Sequence, residues 1–149
     1  MSQNRSAFPS PSLVVAQALD GQIIDPPGVV LEMGSNLFRG HPRPVDDAVP
    51  STAVFVLLRG GDPIRRLNRD QAQLTSNLSV YVRGPAMRHE DGEDFARGVW
   101  LYLRRRWELT PPDGGYMDAG VNDSEPEFVG YDDLGHSQFT CNLRLWREE

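Results

Sequence analysis

The spacing of the apolar residues changes in the middle of the chain, and this change constrains the fold more than any other feature of the sequence. In the segment LSVYVRG, every second residue from Leu78 to Val82 is apolar, which predicts a strand with one face in the core. Further along, every fourth residue from Phe95 to Leu103 is apolar, and this spacing predicts a long amphipathic helix over HEDGEDFARGVWLYLRRRWE. Asp91 is its predicted cap, so the centre of the chain is a strand followed by a helix.

Further strands are predicted on both sides of this central unit. TAVFVLLRGG is apolar almost throughout and ends in Gly60 and Gly61, which predicts a strand buried on both faces. One or two short strands are expected in GVVLEMGSNLFRG, and others around YMDA and PEFVGY. In SQFTCNLRLW four apolar residues alternate with other side chains, namely Phe139, Cys141, Leu143 and Leu145. That alternation is typical of a half-buried strand.

The fold expected from this order of elements is α+β. SPSLVVAQALDG predicts a short helix that begins after Ser10 and ends before Gly21. Because successive strands imply antiparallel pairing, we expect a mainly antiparallel sheet with one long and one short helix packed on it. The 149 residues suit a single domain, 1–149. Within it, residues 1–9 are expected to form a flexible N-terminal arm and residues 62–77 a protruding loop.

Composition and charge argue against several classes of protein. The formal net charge is −6, which argues against a dedicated nucleic-acid binder, because such proteins carry a basic surface. The single cysteine, Cys141, excludes a disulfide within the chain. No apolar run approaches the roughly 18 residues of a membrane span, and the N-terminus lacks the apolar stretch of a signal peptide. We therefore expect a protein that is made in the cytoplasm and does not contact a membrane.

The segment YDDLGHS is the strongest candidate for chemistry. Asp132, Asp133 and His136 have the residue types of a metal site or an acid–base pair, as in a small metal-dependent hydrolase. Neighbouring residues on a strand point to opposite faces, however, so two adjacent carboxylates converge poorly. Gly135 suits the left-handed position of a hairpin loop. A turn between two strands is therefore favoured, with the metal or acid–base site as the alternative.

Motifs of common catalytic sites are missing from the sequence. There is no glycine-rich phosphate loop, no paired-cysteine metal spacing and no G-x-S-x-G elbow. We therefore expect no catalytic residue, no cofactor and no metal. Every basic residue other than histidine is an arginine, and three interpretations of the arginine clusters stay open: a solvated surface, contact with carboxylates of a partner protein, or contact with DNA.

Two sets of residues follow from these arguments. The residues expected at a partner surface are Arg65, Arg66, Arg69, Arg83, Asp132, Asp133 and His136. The glycines expected in structural turns are Gly60, Gly61, Gly130 and Gly135.

Three blocks between residues 35 and 146 carry a family resemblance. They are NLFRGHPRPVDDAVPSTAVFVLLRGG, LSVYVRGPAMRHEDGEDFARGVWLYL and PEFVGYDDLGHSQFTCNLRLW. In this order they resemble the siphophage minor capsid proteins, the tail terminator (tail completion) family. There a proline-rich connection leads to an apolar strand, a strand ending in V-R precedes an amphipathic helix, and G-x-D-x-x-G precedes the last strand. The family often has Arg after the turn glycine, where this chain has His136.

The resemblance implies a structural role and no catalysis. It implies a small tail-terminator-like subunit that forms a ring with itself, usually a homohexamer, in the neck of the virion. The ring would cap the tail-tube protein and join it to the head connector through a head-completion (stopper) protein. Genomic DNA would pass through the lumen without sequence-specific binding, and an excess of negative charge suits such a pore. The subunit would be assembled in the host cytoplasm and located in the tail of the particle.

Two other functions are weighed beside this one. The chain could be another joint protein of the bacteriophage virion, either a head-completion (stopper) subunit or a relative of the tail-tube protein. More remotely, it could be the small metal-dependent hydrolase that would use Asp132, Asp133 and His136.

Overall fold

A computed structural model describes residues 10–61, 65–66, 72–109, 117–118 and 125–148. These residues form an α+β fold with two helices, as the sequence predicts. The elements are α1 (Pro11–Leu19), β1 (Ile23–Ile24), β2 (Val29–Val30), β3 (Leu37–Arg39), β4 (Ala53–Gly61), β5 (Arg65–Arg66), β6 (Ala72–Ala86), α2 (His89–Leu109), β7 (Met117–Asp118), β8 (Glu127–Tyr131) and β9 (His136–Glu148). Within the described part of the chain, neither helix is long and apolar enough to cross a membrane.

Within the described ranges, seven strands form the main sheet, in the order β3-β4-β6-β9-β7, with β5 also paired to β6 and β8 to β9. The long strands β6 and β9 lie at its centre, where Val80 pairs with Cys141. Every pair in this sheet is antiparallel except β3–β4, in which Phe38 pairs with Phe55 in parallel. Two parallel strands need a connection that carries the chain from the end of the first back to the start of the second. The proline-rich residues 41–51 form this connection between β3 and β4.

Both helices pack on one face of the sheet. The predicted stripes meet there, because alternate residues of β6 and β9 lie against the apolar stripe of α2. The buried residues of this core include Val14, Leu19, Leu78, Val80, Val82, Phe95, Val99, Leu103, Phe139, Cys141, Leu143 and Leu145. Cys141 is therefore a core residue, as its place in the alternation indicates.

A smaller apolar cluster lies on the opposite face of the sheet. It consists of Phe38, Val49, Ala53 and Phe55, with Tyr81 packed against it. The rings of Phe38 and Phe55 stack at 5.6 Å between centroids. The first half of β4 is therefore buried on both faces, as predicted, whereas its end from Leu58 onward is exposed.

Several element boundaries differ from the sequence predictions. β6 already begins at Ala72, because the C-terminal half of β9 supplies partners such as Glu148 for Gln73. Residues 72–77 of the predicted loop are therefore strand, and Gly84 and the following proline interrupt the pairing of β6 with β9 without ending the strand. α2 begins at His89, so Asp91 lies in its first turn and is not its cap.

Two of the predicted segments fall largely outside the described residues. The first is the arm, residues 1–9. The second is the predicted loop, of which positions 62–64 and 67–71, including Arg69, are not described. Arg65 and Arg66 form β5, which pairs with β6 at Ala72 and Gln73.

The first turn of α2 lies unusually close to the sheet. A Cβ atom at Gly92 would collide with the hydroxyl of Ser137 on β9, and one at Gly84 on β6 would collide with the Gly92 backbone. Glycine at both positions lets the helix backbone approach the strands. This contact fixes the start of α2 beside the loop that joins β8 to β9.

Candidate functional site

The segment YDDLGHS forms the tight loop of the β8–β9 hairpin. Tyr131 pairs with Ser137, the Asp132 amide donates to the His136 carbonyl at 3.0 Å, and the Gly135 amide donates to the Asp132 carbonyl at 3.1 Å. Gly135 has a φ of +85°, the left-handed conformation that glycine adopts without strain. The hairpin favoured by the sequence is therefore present.

Asp132 organises this loop from within. Its Oδ1 accepts hydrogen bonds from the amides of Leu134 and His136, both at 2.9 Å, and its Oδ2 accepts one from His136 Nδ1 at 2.7 Å. Burial by itself would raise the Asp132 pKa, but the hydrogen bonds from His136 and Leu134 outweigh it and hold the pKa below its ordinary value. The Asp132 carboxylate therefore stabilises the turn through these hydrogen bonds.

The three residues of the alternative hydrolase site do not converge. His136 is buried and paired with Asp132, whereas Asp133 is exposed on the next position of the loop. Among the described residues, no group of three or more His, Cys, Asp and Glu side chains is arranged to hold a metal ion. The Asp132–His136 pair is a structural clamp of the hairpin.

Arg83 is a second internal clamp. Its side chain is buried, and its guanidinium donates hydrogen bonds to the carbonyls of Ser51 (3.0 Å), Pro50 (2.9 Å) and Arg43, while it also lies over the ring of Phe55. Burial lowers the Arg83 pKa, and the nearby Asp132 carboxylate acts in the opposite direction. The arginine thus fastens residues 41–51 to the sheet.

Two residues of the expected partner surface, Arg83 and His136, have side chains that are buried within the chain. Among the members of the set whose side chains the structure describes, Asp133 is exposed and Asp132 is partly buried. The side chains of Arg65, Arg66 and Arg69 lie outside what the structure describes.

The glycines expected in turns also occupy different settings. Gly135 lies in the hairpin loop, but Gly60 and Gly130 lie where the pairing register of β4 and of β8 shifts. Gly61 is part of the ladder and pairs with Ser76. Strand irregularities of this kind use glycine for the same reason that turns do.

Large apolar side chains are exposed around the hairpin loop. Met87, Tyr131 and Leu134 are 85%, 60% and 66% exposed, and we call these three residues the hairpin patch. They line an open groove of about 790 Å³ together with His89 and Asp133. Single exposed apolar residues are ordinary in soluble proteins, but contiguous ones indicate an interaction site.

Met87 connects the hairpin to the start of α2. Its φ of +61° is rare for a residue with a side chain and costs about 1–3 kcal/mol. Its amide donates to the Gly135 carbonyl at 3.1 Å, and a Cβ at Gly135 would lie 2.9 Å from Met87 Sδ. Although its sulfur lies close to Gly135, the Met87 side chain is largely exposed to solvent.

His89 lies between the hairpin patch and the aromatic side chains of β8 and β9. Its Nδ1 is hydrogen-bonded to the Tyr131 hydroxyl at 3.1 Å, and its ring packs against Phe128 and Phe139. Phe128 and Tyr131 also meet edge to face, with centroids 5.1 Å apart. The exposed patch therefore rests on an ordered aromatic layer.

A second apolar surface lies farther along α2. Ile23 of β1 and Leu101 of α2 are 65% and 37% exposed, and with Arg105 we call them the helix patch. A groove of about 480 Å³ runs between them, lined also by Gly98, Tyr102 and Arg106. The hydroxyl of Tyr102 donates to the Ala18 carbonyl at 2.9 Å, which holds the floor of the groove in place.

Sequence reasoning did not single out the apolar residues of these two patches, although Arg105 belongs to one of the arginine clusters. One signal was present, because Leu134 is a large apolar side chain inside a turn of Asp and Gly residues. For Met87, Ile23 and Leu101 there was no comparable signal, since their exposure depends on tertiary packing.

No protein-family model matches the chain, and no curated protein matches it either.

Proposed function

We propose that this chain is a structural virion protein, a tail terminator (tail completion) subunit that forms a ring, caps the tail tube and joins it to the head connector. The observation that carries the proposal is the presence of two separate exposed apolar patches on one small subunit. The hairpin patch adjoins the first turn of α2, and the helix patch lies roughly 20 Å farther along the helix axis. A ring subunit needs two different contact surfaces of this kind, one for each neighbour.

The position of the three family-like blocks supports the same proposal. They correspond to β3 with β4, to the second half of β6 with most of α2, and to β8 with β9. These elements are neighbours in the main sheet, since β4 pairs with β6 and β6 pairs with β9. The resemblance therefore covers one contiguous part of the fold.

The polar groups of the hairpin support a contact role over a catalytic one. Asp132 and His136 satisfy each other inside the loop, and Arg83 is bound to backbone carbonyls. A general base must have its acceptor atom available to a substrate proton, whereas Asp132 Oδ1 accepts two amide hydrogen bonds of the turn and the His136 side chain paired with Oδ2 is buried.

Electron microscopy tests the proposal at two levels. The purified protein should form closed rings in negative stain, and particles assembled without it should carry tails of abnormal length that do not join heads. A protein that never forms rings, together with normal tails still joined to heads in its absence, would refute the proposal.

The same particles separate the alternative functions. Tails of normal length that fail to attach to heads would instead indicate a head-completion (stopper) subunit. A hydrolase would show itself in a different way, because Asp133→Ala and His136→Ala would each abolish a measurable hydrolytic activity.

A further inference from the structure

We propose that the hairpin patch of one copy docks into the helix patch of the next copy, so that the subunits associate head to tail along α2. This inference rests on the proposed self-assembly and names the two surfaces that make it. It commits to a second copy of this chain as the occupant of both patches.

The hairpin patch supplies the inserting side chains of this contact. Leu134 is at the tip of the β8–β9 loop, and Met87 lies beside it in the turn before α2. The Met87–Gly135 hydrogen bond and the Asp132–His136 clamp hold this tip in one conformation. A preorganised apolar tip binds with less loss of conformational freedom than a loose loop does.

The helix patch has the shape of a receiving surface. Its groove of about 480 Å³ falls within the roughly 300–1,000 Å³ of pockets that bury a ligand. Ile23 and Leu101 form apolar walls, and Gly98 lets β1 pack closely on α2, because a Cβ at this position would collide with Ile24. Leucine and methionine side chains are the kind of group that such a groove accommodates.

Charge favours this pairing of the two patches. Asp133 lines the groove of the hairpin patch, and the nearby first turns of α2 carry exposed Glu90 and Glu93. Arg88, on the same side, is paired with Asp91 at 3.6 Å. The helix patch is lined by Arg105 and Arg106, with Asp25 as the one acidic residue among its lining residues. Docking therefore brings Asp133 of one copy toward Arg105 and Arg106 of the next.

Like-with-like docking is disfavoured by the same charges. Two hairpin patches facing each other would bring Asp133 of each copy together, and two helix patches would do so with Arg105. Repulsion between like charges across an interface is costly. A contact between two different surfaces is heterologous, and repeated copies of it close into a ring or continue as a filament.

Two variants, each with one of the two patches disrupted by a charge, test the contact directly. Leu134→Asp places a charge on the hairpin patch, and Leu101→Asp places one on the helix patch. Each variant alone should lose the assemblies of the wild-type chain in analytical ultracentrifugation. Mixed together, the two should form a dimer and nothing larger, because one intact hairpin patch and one intact helix patch remain between them.

A matched control and a charge exchange complete the experiment. Leu58→Asp alters an exposed leucine outside both patches and should assemble like the wild type. Asp133→Arg or Arg105→Glu should weaken association roughly tenfold or more, and the chain that carries both changes should recover much of the loss.

The outcomes distinguish this inference from the proposed function. Rings that persist in both aspartate variants, or a mixture without dimers, would overturn the inference while leaving the ring itself intact. A wild-type chain that stays monomeric at every concentration would overturn the proposed self-assembly, and the inference with it. Circular dichroism of each variant confirms that loss of assembly does not reflect loss of folding.

Discussion

Asp132 accepts three hydrogen bonds that hold the hairpin loop, whereas its neighbour Asp133 is exposed. We therefore expect Asp132→Ala to lower the free energy of unfolding by about 1–3 kcal/mol, because it leaves the amide and ring donors of the buried His136 without an acceptor. Asp133→Ala is the matched control and should change the stability by less than about 0.5 kcal/mol. Urea denaturation of the two variants measures the difference, and equal stabilities would contradict this role of Asp132.

The lowered pKa of Asp132 gives the stability a pH dependence. Since the folded pKa lies below the ordinary value of 3.8, the unfolded chain binds this proton first as the pH falls. The contribution of Asp132 is therefore complete above its unfolded pKa and is lost as the pH drops through its folded pKa. Unfolding free energies measured from neutral to acidic pH should fall less steeply in Asp132→Asn than in the wild type. Parallel curves for the two proteins would rule this linkage out.

Substitution of Met87 distinguishes an effect on the stability of the fold from an effect on self-association. Met87→Gly removes an exposed side chain and relieves a positive φ, so the free energy of unfolding should stay constant or rise by up to about 1 kcal/mol. The same change deletes an apolar group of the hairpin patch and should weaken self-association. Thermal unfolding and sedimentation of the variant measure the two effects separately, and a variant that associates like the wild type would show that Met87 makes no contact.

At the residue scale, the sequence predicted the turn but not the partners of its polar groups. Gly135 and the adjacent aspartates have clear local preferences, and these preferences identify a hairpin. The burial of Arg83 depends on carbonyls of residues 43, 50 and 51, which are distant in sequence. Local pattern carries no information about such contacts, so Arg83 was expected at the surface.

At the element scale, the close approach of α2 to the sheet gives a sharp test. Alanine favours a helix over glycine by about 1 kcal/mol, but a methyl group at Gly92 would collide with Ser137 Oγ. We expect Gly92→Ala to be destabilising by about 1–3 kcal/mol in spite of its helix propensity, since overpacking forces the backbone to move.

A second change checks the cause of this loss. Ser137 Oγ is buried and has no hydrogen-bond partner among the described residues, so Ser137→Ala alone should be nearly neutral. In the double variant it should restore part of the stability that Gly92→Ala removes, which a double-mutant cycle measures. If the effects of the two substitutions on the free energy of unfolding were strictly additive, the loss caused by Gly92→Ala would not come from a collision with Ser137 Oγ.

The elements themselves were largely predictable from periodicity. The change of apolar spacing between β6 and α2 identified the central unit, and the alternation in β9 identified its buried residues. The extension of β6 to Ala72 was missed because residues 72–77 are polar, and only their pairing with β9 makes them strand. The parallel β3–β4 pair was missed because short strands carry no signal for direction.

At the scale of the whole molecule, the two patches and the net charge of −6 fit a ring around a DNA passage. In the proposed ring, the exposed apolar surfaces beside the first turn and beside the second half of α2 would be the two contacts of each subunit, and excess negative charge would limit adhesion of the phosphate backbone. The sequence predicted this role through the resemblance alone, since neither patch has a motif. A ring with a basic lumen would contradict the electrostatic part of this account.

The density of the virion neck tests the central claim most directly. An electron microscopy map of the particle should contain a ring built from this fold between the last layer of the tail tube and the head connector, with the β8–β9 hairpin of each subunit against α2 of its neighbour. A neck in which that position is filled by a different protein would contradict the account.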